Sequence, residues 1–185
     1  NKRVPGSRQP AAKKKRTMNN IEIERKFLVL NEDYKQLATS HYTIQQGYIC
    51  KEPDRTVRVR IRTEAEGSGT AFLTIKSKPN AMGFSRFEWE KEIDAKEALE
   101  LLQLAEGAVI DKVRYYVDYA GHTIEVDEFH GDNEGLVMAE IELASEDESV
   151  ELPAWLGREV TGEKRFYNSH LREHPYKVWT DQERK

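Results

Sequence analysis

From residue 21 onward, charged side chains recur at every second position, a period that fits an extended strand and not a helix. IEIERKFLV (21–29) sets Glu22, Glu24 and Lys26 on one face and Ile21, Ile23, Arg25 and Phe27 on the other. TVRVRIRT (56–63) sets Arg58, Arg60 and Arg62 against Val57, Val59 and Ile61. AFLTIKSK (71–78) opposes Thr74, Lys76 and Lys78 to Leu73 and Ile75, and SRFEWEKEI (85–93) opposes Arg86, Glu88, Glu90 and Glu92 to Phe87, Trp89 and Ile93. Lys112 and Arg114 face away from Val113, Tyr115 and Val117; Glu125 and Asp127 from Ile124 and Val126; Glu140 and Glu142 from Val137, Ala139 and Ile141. With QQGYIC (45–50), eight strands are expected.

Alternation alone is what any half-solvated antiparallel strand shows. Here, however, the polar faces are segregated by sign, and like charges at successive same-face positions are unfavourable without a counter-charge among them. A bound polyanion with its metal would supply that counter-charge. Eight antiparallel strands are about the number that closes around one small ligand. The expected fold is therefore α+β: a closed eight-stranded antiparallel β-barrel, a tunnel with a charged lumen and few apolar positions in it, covered outside by helices.

The candidate covers are a helix from the capping box Asp94–Glu97 through AKEALELLQLA to Gly107, with Leu99, Leu102 and Ala98 on its inner side, and three shorter segments. These are 31–38, the acidic stretch 145–151 and EKRFYNSHL (163–171). Trp89 falls on an outward face, and Trp155 is expected in packing beneath a helix.

The first seventeen residues carry seven Lys or Arg and no acid, and are expected to stand apart from the domain as a disordered or appended segment before Met18. A single domain is expected over 18–175, with 176–185 as a C-terminal tail. The formal net charge of −4 becomes about −11 without the basic segment, a body unsuited to broad adhesion to nucleic acid or anionic membranes. Cys50 is the sole cysteine, so no internal disulfide can form, and the five histidines show no metal spacing. A GxxxxGK[ST] phosphate loop is absent, and no apolar run is long enough to span a membrane. A cytoplasmic location fits all of this.

EIERKFLV, with Glu22-x-Glu24-x-Lys26, resembles the ExExK signature of the triphosphate tunnel metalloenzymes, the CYTH superfamily. RVRIR, LTIKSK, SRFEWE, DKVRYY, EVDEF, AEIEL and EVTGEKRFYN follow in the order seen in short bacterial inorganic triphosphatases, so the resemblance covers 20 to about 171. It implies triphosphate bound inside the tunnel with divalent metal on glutamates of facing strands. By matching motif positions, Glu22, Glu24, Asp127, Glu140 and Glu142 would hold metal, Mg²⁺ or Mn²⁺ and two ions, as hard oxygen ligands do. Lys26, Arg58, Arg60, Lys76, Arg86 and Arg114 would neutralise phosphate oxygens. Lys164 resembles a basic residue that reaches the distal phosphate from a closing helix, and Lys112 and Tyr48 resemble residues that position water or gate entry. A second metal, or a carboxylate such as Glu88 or Glu90, would activate the water.

The expected activity is hydrolysis of inorganic triphosphate to pyrophosphate and phosphate. A class IV-type adenylyl cyclase, a thiamine triphosphatase and a non-catalytic polyphosphate- or nucleotide-binding module are the alternatives. The expected partner is inorganic triphosphate or a nucleoside triphosphate, with no nucleic acid and no membrane, and self-association into a homodimer stays open.

Overall fold

The computed structural model describes residues 21–184 except 53, 65 and 82–84; the basic segment 1–17 lies outside the described residues. Among these, nine strands form one sheet: β1 (Ile21–Val29), β2 (Ser40–Glu52), β3 (Arg55–Thr63), β4 (Gly69–Ser77), β5 (Ser85–Ile93), β6 (Ile110–Tyr119), β7 (His122–Phe129), β8 (Val137–Glu142) and β9 (Leu156–Glu159). Their order is β5-β4-β3-β2-β6-β7-β8-β1, and β1 also pairs with β5, so eight strands close on themselves. All the pairings are antiparallel. The seam is short. β1 meets β5 over Ile21–Ile23 and passes the same edge to β9 from Phe27 onward, while the Lys26 amide between them donates to Thr161 Oγ1 at 2.9 Å.

Two differences from the sequence reading have plain causes. β2 begins at Ser40 and not near 45, because its early alternation sets exposed His41, Thr43 and Gln45 against Tyr42 and Ile44 and carries no charge signal. β9 is four residues of LGRE, too short to show a period.

The outward faces are buried as the inverted polarity of the barrel demands. Phe27, Val117, Ile124, Val126, Ala139 and Ile141 pack with Tyr34, Trp155 and Leu156. Tyr34 comes from α1 (Asp33–Leu37), and its ring lies 6.1 Å from that of Trp155. α2 (Ala95–Leu102) starts at the capping box, Asp94 accepting from Lys96 N and Glu97 N. It covers Val59 and Ala71 with Ala98, Leu101 and Leu102. Leu99, expected on the inner side, is exposed, because the helix lays its Ala98 edge on the barrel. The chain leaves α2 against Gly47, where an added Cβ would stand 2.7 Å from Ala105 Cβ; only glycine permits that approach.

The segment 145–151 is not helical: Glu148 turns back to accept from Ala144 N at 2.5 Å and from His122 at 2.9 Å, a local alternative to helix hydrogen bonds. The segment from 163 forms a 3₁₀ turn, Lys164–Phe166, and a short helix α3, Asn168–Leu171.

The lumen is charged along part of its length only, which corrects the expectation of few apolar positions. At the end where β1 and β7 finish and β6 and β8 begin, Ile110, Phe129, Leu136 and Met138 pack with Val160, Phe166, Leu171 and Trp179. Trp179 belongs to the stretch set apart as a tail; it is 4% exposed and donates to the His174 carbonyl at 2.9 Å. Among the described residues no helix is long and apolar enough to cross a membrane.

Candidate active site

Cross-strand partners in an antiparallel ladder share a face, so register alone assembles the lumen. Glu22 stands opposite Arg86, Glu24 opposite Glu142, and Lys26 opposite Glu140. Arg114 stands opposite Asp127, Arg58 opposite Thr74, and Lys76 opposite Glu88. Arg25, one position out of phase, pairs outside with Glu159 at 2.6 Å.

On the β6–β7–β8 side Lys112, Arg114, Asp127 and Glu140 are buried and engaged with one another or with Lys26, whereas Glu142 is exposed. Asp127 is completely buried; it accepts from Lys112 Nζ at 2.6 Å and from Arg114 Nε and Nη2, each at 2.6 Å. Arg114 also reaches Glu140 at 3.0 Å and Glu125. Lys26 lies 2.9 Å from Glu24 and also pairs with Glu140. Burial would raise the Glu140 carboxyl, but Lys26 and Arg114 hold it well below the usual carboxylate range. Burial outweighs Asp127 at Lys112 and brings its ammonium down to about 8.

Toward β5, Lys76 donates to Glu22 at 2.7 and 2.9 Å, and Arg86 Nε donates to Glu22 at 3.0 Å. Burial notwithstanding, Lys76 and Arg86 keep Glu22 well below its ordinary range. Lys76 Nζ also lies 2.9 Å from Glu88 Oε2 as an ion pair without hydrogen-bond alignment, and burial raises the Glu88 carboxyl.

The β3 row differs. Arg58 donates to Thr74 at 3.2 Å, Arg60 donates to Glu90 at 3.2 Å, and Arg62 stacks over Tyr42 at 4.1 Å. Glu90 also accepts from Thr74 at 2.8 Å. Buried Nε atoms of all three arginines have no hydrogen-bond partner. Burial and the neighbouring Arg58 lower the Arg60 guanidinium, so this row is held against its own repulsion. An incoming anion relieves both costs.

Tyr48 is 6% exposed, stands opposite Arg58, lies within electrostatic reach of Arg86, and carries Arg172 5.6 Å from its ring centre. Lys164 is exposed on its 3₁₀ turn. Three lumen neighbours escaped the sequence reading of the site. Glu125 was visible by its parity with Asp127, and Gln46 by its parity with Tyr48. Tyr167 feels Lys26, Arg86 and Glu24, an approach made by the C-terminal segment that no local pattern announces.

Among the described residues, no three side chains of metal-ligating type converge as a ready metal site. Two carboxylate pairs nevertheless fit a divalent cation that keeps waters and shares phosphate oxygens. Glu24 faces Glu142 across β1 and β8, and Glu22 lies within hydrogen-bonding reach of Glu88. Asp127 has both oxygens committed to Lys112 and Arg114.

The CYTH domain family model matches residues 20–167. The chain is 47% identical over 157 residues to the inorganic triphosphatase of Acetivibrio thermocellus, covering 84% of this chain and 96% of that protein. It is 36% identical over 154 residues to the inorganic triphosphatase of Nitrosomonas europaea, covering 81% and 95%. The crystal structure of the inorganic triphosphatase NE1496 superposes with a TM-score of 0.56 at 31% identity, covering 82% of this chain and 93% of that one. A closed barrel whose inward residues alternate in register, together with these matches, places the chain in the CYTH domain family.

Proposed function

We propose that the protein hydrolyses inorganic triphosphate to pyrophosphate and phosphate within the barrel, using Mg²⁺ or Mn²⁺ held as two ions. The observation that carries the reading is the row Arg58, Arg60 and Arg62, whose buried Nε groups lack partners while carboxylate pairs stand elsewhere on the lumen wall. Phosphoryl transfer asks chiefly for positioning and charge neutralisation, which such a lumen provides.

Arg58 and Arg60 bind phosphate oxygens, with Lys76 and Arg86 completing the cradle. Glu22, Glu24, Glu140 and Glu142 would hold the cations, which would supply Lewis-acid stabilisation and acidify a water. Asp127 orients Lys112 and Arg114 through the hydrogen bonds it accepts. Tyr48, Lys112, Glu88 and Glu90 remain the groups for water positioning and proton transfer; burial brings the Lys112 ammonium down to about 8 and raises the Glu88 carboxyl.

The aromatic residues beside the arginine row are already engaged. Tyr42 carries Arg62 and meets Tyr116 edge-on at 5.5 Å, and Phe72 lies 5.3 Å from Arg60. They offer a purine little free face, which favours a bare triphosphate. Phosphate release from inorganic triphosphate and from ATP, at matched Mg²⁺ or Mn²⁺, tests this: kcat/KM for triphosphate is expected at least about tenfold higher, and excess EDTA abolishes turnover. Cyclic AMP and pyrophosphate as the main products would instead establish the cyclase reading.

A further inference from the structure

Gln46 is 0% exposed, yet neither Nε2 nor Oε1 has a hydrogen-bond partner. Buried carboxamides are ordinarily satisfied, and an apolar residue of the same volume would avoid the desolvation cost. The position is well fixed. Gln46 stands opposite Arg60 on β3 and Ile110 on β6, one inward step from Tyr48 and diagonal to Lys112, which is opposite Ile44. Its neighbour Gly47 points outward and clamps β2 against the chain leaving α2, leaving Gln46 little freedom to turn out of the lumen. The carboxamide therefore lies where the charged stretch meets the apolar closed end.

We propose that Gln46 is a positioning residue that orients the attacking water, an inference that rests on the hydrolase reading above. Donor and acceptor balance selects the occupant. An ionised phosphate oxygen accepts only; it would satisfy Nε2 and leave Oε1 facing a negative charge. Water both donates and accepts, so a single molecule satisfies both orphaned atoms. Phosphate oxygens are already served next door by Arg60, whose guanidinium has no use for a second neutral donor beside it. Oε1 takes one water hydrogen and Nε2 donates to the water or to an oxygen beside it, which aims the remaining lone pair at phosphorus. No bond to Gln46 forms or breaks. Water's oxygen adds to phosphorus, the phosphoanhydride bond breaks, pyrophosphate departs with the bond electrons, and water's proton passes to a neighbouring base.

The test uses Gln46→Met and Gln46→Leu, which keep approximate volume and remove both polar atoms. Steady-state phosphate release from inorganic triphosphate is measured beside thermal unfolding of the full chain. The expected result is a fall in kcat of roughly a hundredfold with KM within about threefold of the parent and an unchanged or higher unfolding midpoint. Unchanged kcat overturns the proposal. So does a rise in KM that accounts for the loss, which would make Gln46 a support for Arg60. A lowered midpoint in both variants also overturns it, since an unsatisfied amide should not stabilise the fold. The parent's own turnover separates the two claims: no phosphate release by the parent defeats the hydrolase reading and Gln46 with it, whereas an active parent with active variants defeats Gln46 alone.

Discussion

Two arginines on the inward faces of two strands live in opposite circumstances. Arg114 on β6 is saturated, gripping Asp127 through two nitrogens and reaching Glu125 and Glu140. Arg60 on β3 has one 3.2 Å contact to Glu90, an Nε without a partner, and Arg58 beside it. The first has its donors committed to the wall; the second keeps an unused donor, which the proposed phosphate binding would use. Same residue type and same parity therefore do not mean the same role, because a guanidinium's function depends on how many of its five donors the fold has already used.

The largest effect should come from Arg114→Ala. It leaves Asp127 and Glu140 short of counter-charge in a buried setting, and the loss of stability should be about 3–5 kcal/mol, read by denaturant unfolding. A variant that unfolds like the parent would erase the distinction between the two arginines.

Arg60→Ala should do the reverse. Removing a guanidinium that is lowered by burial and by Arg58 should leave apo stability unchanged or slightly higher. Triphosphatase kcat/KM should fall at least a hundredfold, about 2.7 kcal/mol of transition-state binding. Steady-state kinetics and a melting curve on one preparation settle both halves.

Glu24→Gln sharpens the comparison at the carboxylates. It removes one charge of the Glu24–Glu142 pair, so the divalent metal concentration for half-maximal turnover should rise at least about tenfold while the fold persists. An unshifted metal titration would move the cation elsewhere in the lumen.

The smallest effect belongs to the outside of the same strand. Arg25 hydrogen-bonds Glu159, which lowers the Glu159 carboxyl below its ordinary range, but the pair is partly solvated. Arg25→Ala should cost no more than about 1 kcal/mol and leave turnover alone. The sign is fixed by the depressed carboxyl. Its contribution is present above the unfolded carboxylate pKa, about 4.3, and is lost as pH falls through the lower folded value, so parent and variant stabilities should converge in acid. A variant penalty that grew on acidification would contradict this.

Much of the wall was legible beforehand. Period-two charge patterning placed Glu22, Glu24, Lys26, Arg58, Arg60, Lys76, Arg86, Arg114, Asp127 and Glu140 on shared faces, because side chains on a strand have no other way to alternate. Where charge was missing, the pattern fell silent. The early part of β2, four-residue β9 and the apolar closed end carry ordinary hydrophobic residues whose destination depends on closure. The helix at 145–151 failed for a related reason, since an acidic run carries no record that Glu148 will bond backward to Ala144.

The sequence by itself determined the charge-patterned strands, the facing of their side chains and the sign of charge each brings, all consequences of local backbone geometry. The tertiary structure alone decided which of those charges meet. Strand order put Arg114 against Asp127 and Glu140, left the Nε atoms of the β3 row without partners, carried Trp179 back into the core and buried Gln46 between Arg60 and Ile110. Coulomb energy and desolvation depend on distances across the barrel, and those are set only when the first strand finds the fifth and the lumen closes.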